Sequence, residues 1–428
     1  MYGENLIMKK ILNNFEKIFL IFLYIQPILD VTAGVLLHFG CSITISSIIR
    51  FIFMFLCIIY LLFLIRDKKV NTYLLITMAY FLMFTITILV NKGIPALSYE
   101  IKNLITTYYF VIILITLTKL YKNKKLNVKN LYIIYIIYLL FVFIPNILGI
   151  GFDSYWHSKE GSVGWFLSAN VVGSILSILL PIILMYVNKI NLKLIILTII
   201  NLFVILSIGT KVPVLSFILI IGINAIYYFI NLLKKKQYKK ILMITLPFIM
   251  VIASLVIIFP KTSFYKNLEI HINYLEKKDN GKISTWHLID HFIFSQRLTF
   301  EEKTRKAYNK ASISEKIFGI GYIENYMTDN VRLKTIEIDY FDIFYRHGIV
   351  GFIIFFAPLI YILKDIIQKN KKINYKTLNI YISVLLIFIL ALFQGHILVT
   401  PANSIYVALI LSIIYNNAFI YKNKLKIN

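Results

Sequence analysis

Apolar runs of about 20 residues recur from one end of this chain to the other, each long enough to cross a ~30 Å hydrocarbon core as a helix. They fall at roughly 18–39, 43–65, 72–90, 104–120, 131–149, 166–187, 192–208, 212–233, 241–259, 343–363, 377–396 and 402–421. The composition agrees: 59% of residues are hydrophobic and 15% charged, whereas a soluble domain is nearer half and a quarter. The chain therefore reads as an all-α polytopic membrane protein with about twelve transmembrane helices. Lys9, Lys10 and Lys17 precede an apolar stretch too long for a signal peptide and followed by no small-residue cleavage site. With Cys57 inside a run and Cys41 beside a turn, no disulfide framework is expected.

The net charge of +25 suggests nucleic acid until it is mapped. The termini and alternate connections hold 26 Lys and Arg against four acids. Connections on the other side hold only Lys92, Lys102, Lys159 and Lys211, and residues 260–346 are nearly balanced, with 14 basic and 12 acidic residues. Such an alternation is a positive-inside signature and leaves no role for nucleic acid. It places both termini in the cytoplasm. Residues 1–259 then form a bundle of spans one to nine, 260–340 a mostly helical extracytoplasmic domain, and 341–428 spans ten to twelve. A connection as long as 260–340 usually carries chemistry or recognition. No internal repeat is evident, which counts against transporter folds built from paired halves.

Polar residues inside the runs narrow the search. Asp30 and Arg50 lie eleven and nine residues from the turn at Cys41, so at 1.5 Å per residue they sit at similar depth on neighbouring helices. The expected role is a structural ion pair, which relieves the cost of an isolated intramembrane charge; a substrate contact is the alternative. Asn170, Ser174 and Ser177 share one helix face, as a helix–helix seam or the wall of a polar pocket. In SIGTKVPV (207–214), Thr210 can cap a helix that starts near Pro213, and Lys211 beside that N-terminus reads either as an anion site or as a plain turn lysine. In KTIEIDYFDIFYRHGIVGF (334–352), Asp339, Asp342 and Arg346 line one face of a helix entering the membrane, with Glu337 just before it. Asp342–Arg346 reads as an i,i+4 pair, and Glu337 or Asp339 as a partly desolvated proton acceptor. His287 and His291 of HLIDH lack the further ligands a zinc site needs. FGIGY (318–322) is a tight turn, and no Walker, GxSxG or dinucleotide fingerprint occurs.

Taken in order, PILDVTAGV (27–35), GWFLSANVVGSILSILLP (164–181), SIGTKV (207–212), FSQR (294–297), EKIFGIGY (315–322) and IEIDYFDIFYRHGIVGF (336–352) give the chain its kinship. It resembles the O-antigen ligase and O-antigen polymerase superfamily of bacterial polysaccharide enzymes, in its Gram-positive-type branch. The resemblance implies a GT-C-like bundle in the cytoplasmic membrane with an outward-facing site. It implies transfer of a glycan from an undecaprenyl-diphosphate-linked donor to a glycan acceptor, without metal or other cofactor, in company with polysaccharide-assembly proteins. Lys211 stands where relatives often carry Arg, and Arg297 matches the family's arginine after a short Ser motif. Both are expected to bind the diphosphate, with Asn170 and Arg346 as further substrate-binding candidates. Ligase-type relatives place a His at the start of the span after the large loop. Here Glu337 and Asp339 occupy that region, so the base is expected among these carboxylates. Two other functions fit such a chain: a lipid-linked oligosaccharide flippase, or a non-catalytic scaffold of polysaccharide assembly.

Overall fold

The computed structural model describes residues 2–41, 45–120, 127–155, 159–187, 192–238, 259–278, 285–325, 331–332, 334–369 and 373–424. In chain order its helices are α1 (Tyr2–His38), α2 (Ile45–Ile59, continued by a π-helical turn Tyr60–Ile65), α3 (Lys68–Lys92), α4 (Ile94–Leu120), α5 (Val128–Ile147), α6 (Ala169–Val187), α7 (Leu192–Ile208) and α8 (Lys211–Lys234). After these come α9 (Ser263–Lys278), α10 (Arg297–Lys310), α11 (Ile313–Phe318), α12 (Asp339–Lys369), α13 (Tyr375–Phe393) and α14 (Pro401–Lys424). Nine helices among the described residues are long and apolar enough to span a membrane, and α7 and Pro401–Asn416 of α14 are shorter apolar helices. The predicted span at 241–259 lies outside the described residues, save Phe259.

Helix boundaries follow local chemistry. The Asp67 side chain accepts from the amides of Lys69 and Val70 to start α3, and Asn127 and Asn374 form capping boxes for α5 and α13. The Lys/Asn-rich connections of one end thus supply the caps as well as the positive charge. Between α3 and α4 only Gly93 intervenes, at φ +81°. Sequence reasoning puts a connection over 91–103, but Pro95 suits a first helical turn, so Lys102 lies within α4 and not in a loop.

Helices α4, α6 and α14 form the centre: residues 107–117, 172–184 and 402–414 are buried in unbroken runs. A helix apolar all round belongs in such a position. Around it, α1, α2, α3 and α8 keep one apolar face exposed, with Ile21, Ile52, Met78 and Leu215 among its residues, as lipid-facing helices must. The described residues of the connections following α1, α3, α5, α7 and α13, together with those of 259–338, gather at one end, here called the loop end. Gly34 packs on the Trp165 carbonyl, Lys92 donates to the Ile320 carbonyl, and Asp339 reaches the chain after α13. The expected mostly helical segment after residue 260 contains α9, α10 and α11, and also a two-stranded antiparallel ribbon, Ile323–Asn325 with Val331–Arg332. A small second core of Ile320, Ile336, Ile338 and Tyr345 ties it to α12.

Candidate functional site

Three stretches of chain converge at the loop end: 294–297 leading into α10, 335–338 leading into α12, and 394–398 leaving α13. Ser295, Gln296, Glu337 and His396 all have positive φ, between 52° and 70°. Each such non-glycine residue costs on the order of 1–3 kcal/mol and persists only where its surroundings impose it. Gly395, at φ +66°, shows the constraint: a Cβ there would overlap the Glu337 carbonyl. The two backbones cross in contact, and only glycine fits.

The first turn of α12 fastens this crossing. Asp339, wholly buried, accepts the amides of His396 (2.6 Å), Ile397 (2.9 Å) and Leu398 (2.7 Å). Asp342 accepts those of Ile336 (3.1 Å) and Glu337 (2.8 Å) and lies 3.7 Å from Arg346. Arg346, also wholly buried, donates to the carbonyls of Gly321 and Lys334, each at 3.1 Å. These three side chains hold loops to the helix. Carboxylates at a helix start are also favoured by its dipole.

Glu337 is held differently. Its left-handed backbone turns the carboxylate out of the helix line, leaving the side chain 29% exposed. One oxygen lies 2.9 Å from Arg297 Nη2, and the other 3.8 Å from His396 Nε2. Arg297 is buried and fixed by donation to the carbonyls of Phe294 and Phe393, both at 3.2 Å. Burial alone would push the Glu337 carboxyl up, but His396 and Arg297 outweigh it and hold the group down to about 2. Burial likewise pulls His396 down, and Glu337, with Asp339 and Asp342 behind it, raises it above its ordinary value. The result is an ionised carboxylate set between a guanidinium and an imidazole whose protonated form it favours. Sequence reasoning offers His396, with His347, only as a rival to the carboxylates as base; its pairing with Glu337, 59 positions away, is not visible there.

Lys211 opens α8 at the same end and feels the charges of Lys159 and Arg297. Thr210 is the N-cap residue there, but its side chain makes no capping bond, and its buried hydroxyl has no partner. The expected side-chain cap is therefore not made. Asn170 offers its carbonyl to Gln394 at 2.6 Å. Ser174 and Ser177 bond back to carbonyls of their own helix, and Ser177 lines a small, mostly apolar cavity with Asn201. Within the bundle, Asp30 Oδ1 sits 2.6 Å from Arg50 Nη2; Tyr138 donates to its other oxygen at 2.9 Å. Gln26 takes Arg50 Nε at 2.8 Å. His347 is wholly buried against Tyr322. The His287 side chain lies outside the described residues; among these, no three His, Cys, Asp or Glu gather as a metal site would.

Fold and site together define a multi-pass helical membrane protein with the Glu337 carboxylate held between Arg297 and His396 at the loop end. Residues 12–286 and 284–418 match the family described as O-antigen ligase like membrane protein, and the chain belongs to that family. Membership implies a glycosyltransferase-type membrane polysaccharide ligase or polymerase, acting on glycans at the bilayer. Comparison with curated proteins finds no match.

Proposed function

We propose that this protein transfers a glycan from an undecaprenyl-diphosphate-linked donor to an acceptor sugar hydroxyl, on the outer face of a bacterial cytoplasmic membrane. Residues 260–340 form the domain over the site, and both termini lie in the cytoplasm, as the 26-to-4 charge asymmetry directs. The observation that carries the reading is the Glu337 carboxylate between Arg297 and His396.

In this reaction the acceptor oxygen attacks the anomeric carbon and gives its proton to Glu337. The bond from that carbon to the diphosphate oxygen breaks, and its electron pair leaves on the diphosphate. Arg297 and Lys211 neutralise the charge that grows there. Free of substrate, Glu337 is too weak a base, its cationic neighbours holding it near 2. A diphosphate arriving beside Arg297 offsets those cations and raises the carboxylate, so the base strengthens only when the donor is bound. Asp339 is assigned to positioning and not to proton transfer, because both its oxygens already accept backbone amides. Arg346, spent on two carbonyls, is likewise assigned to holding the domain.

A flippase needs a path through the bundle, whereas these charges sit at one end. A scaffold needs no ionised carboxylate in a strained loop. The deciding experiment compares glycan chain length from Glu337→Gln, His396→Ala and His347→Ala at matched membrane abundance. A general base is worth typically about 10²–10⁴-fold, and a loss of that size is expected for Glu337→Gln, with His347→Ala near normal. Full activity in Glu337→Gln with silence in His396→Ala would move the base to the imidazole. Full activity in both would favour the scaffold.

A further inference from the structure

Close to Lys211, which feels the charges of both Lys159 and Arg297, the loop end contains a second rigid crossing. Asn267 of α9, nearly inaccessible, accepts the Glu160 amide at 2.8 Å and donates to the carbonyls of Glu160 (2.6 Å) and Gly209 (3.0 Å). A Cβ on Gly161 would come within 2.5 Å of the Ile208 carbonyl, and one on Gly209 within 2.7 Å of that of Glu160. The α5–α6 connection, the α7–α8 turn and α9 are thereby locked together.

This crossing presents cations. Lys159 Nζ lies 2.9 Å from His271 Nε2 and 5.2 Å from the Tyr155 ring centre. An ammonium only donates, so His271 Nε2 accepts and the ring is neutral. Burial, then Lys211 and Lys159, with His291 behind them, hold His271 down to about 4. The adjacent acid does not compensate, because Glu160 is turned to Lys266 at 2.7 Å. Like charges held near one another repel, and an anion placed between them relieves that repulsion.

We infer that Lys159 and His271 form a second anion subsite, contiguous with Lys211, which takes the phosphate farther from the sugar in a diphosphate ester. The inference rests on the donor reading above, with the sugar-side phosphate near Arg297 and Lys211. Lys159 turns its ammonium from His271 to the phosphate, and His271 Nε2 takes up a proton to donate in turn.

The test is calorimetric binding of inorganic pyrophosphate and of inorganic phosphate to the purified full chain in detergent. The parent is expected to prefer pyrophosphate by at least about tenfold, the worth of one charge-assisted contact. Lys159→Ala should weaken pyrophosphate about tenfold and phosphate less than about twofold, while Lys159→Arg keeps most of the preference. His271→Gln, a neutral isostere that cannot gain charge, should lose part of it. Equal pyrophosphate affinity in parent, Lys159→Ala and His271→Gln would overturn the inference and leave the glycosyltransferase reading standing. A parent that fails to bind pyrophosphate would overturn both. Phosphatidylglycerol vesicles that displace pyrophosphate completely would assign the subsite to a lipid headgroup and overturn the diphosphate assignment. Should Lys159→Ala not purify as a monodisperse protein, Lys159→Arg and His271→Gln carry the comparison.

Discussion

Two arginine–carboxylate pairs in this protein have nearly the same length and opposite surroundings. Asp30–Arg50, at 2.6 Å, lies inside the bundle, with Tyr138 and Gln26 completing its hydrogen bonds. Glu337–Arg297, at 2.9 Å, lies at the loop end on left-handed backbone, shared with His396 and open on one side. A closed pair in hydrocarbon fixes two helices and has nothing left to offer a ligand. An open pair on strained loops can exchange one partner for an incoming anion. The contrast separates a charge that holds the fold from a charge that does chemistry.

The largest expected effect comes from breaking the closed pair. Arg50→Ala strands Asp30 in the bundle, and Asp30→Ala strands Arg50; either should cost about 3–5 kcal/mol. The measurement is thermal denaturation in detergent, with membrane abundance beside it. The charge-swapped double variant should recover part of the loss. Single variants as stable as the parent would remove the structural role and reopen a substrate contact.

A middle-sized effect is expected at Asp339. Its carboxylate holds three consecutive amides, and weakening those bonds should cost about 1–3 kcal/mol. Asp339→Asn is expected to lower the midpoint of unfolding and loosen the amides of 396–398 in hydrogen exchange, with much of the activity kept at reduced temperature. Glu337→Gln should do the reverse, removing activity with little change in stability. If the two variants exchanged phenotypes, Asp339 would be the base.

How far these roles could be read beforehand depended on their physics. Nine of the spans are legible among the described residues because each apolar run must match the bilayer. Asp30 and Arg50 are legible because depth in a helix is arithmetic. Glu337 and Asp339 are not separable from sequence: two residues apart, one begins the helix and is buried, while the other takes a positive φ and faces the opening. That φ is imposed by contact with Gly395, a long-range event. His396 carries a faint signal, a histidine closing the apolar run 377–396 on the side poor in charge. In the sequence Lys159 speaks only to topology, and its approach to His271 is set by the Asn267 crossing, which no local pattern announces.

The smallest expected effect is the pH dependence of the open pair. Glu337 is depressed from 4.5 to about 2, so its contribution is present above about pH 4.5 and lost as pH falls toward 2. His396 is raised above 6.5, so its contribution is full below that value and lost as pH rises through its folded pKa. The Glu337–His396 contact is therefore strongest between about pH 4.5 and 6.5, whereas the Arg297 contact persists at higher pH because a guanidinium does not titrate there. Both side chains are about a third exposed, which limits the effect to about 1 kcal/mol or less. The measurement is the unfolding midpoint of the parent minus that of Glu337→Gln, taken from pH 5 to pH 9. The difference should be largest near pH 5–6, shrink as His396 loses its proton, and level off above zero. A difference independent of pH would mean that His396 does not share the carboxylate, and the open pair would reduce to Glu337 and Arg297 alone.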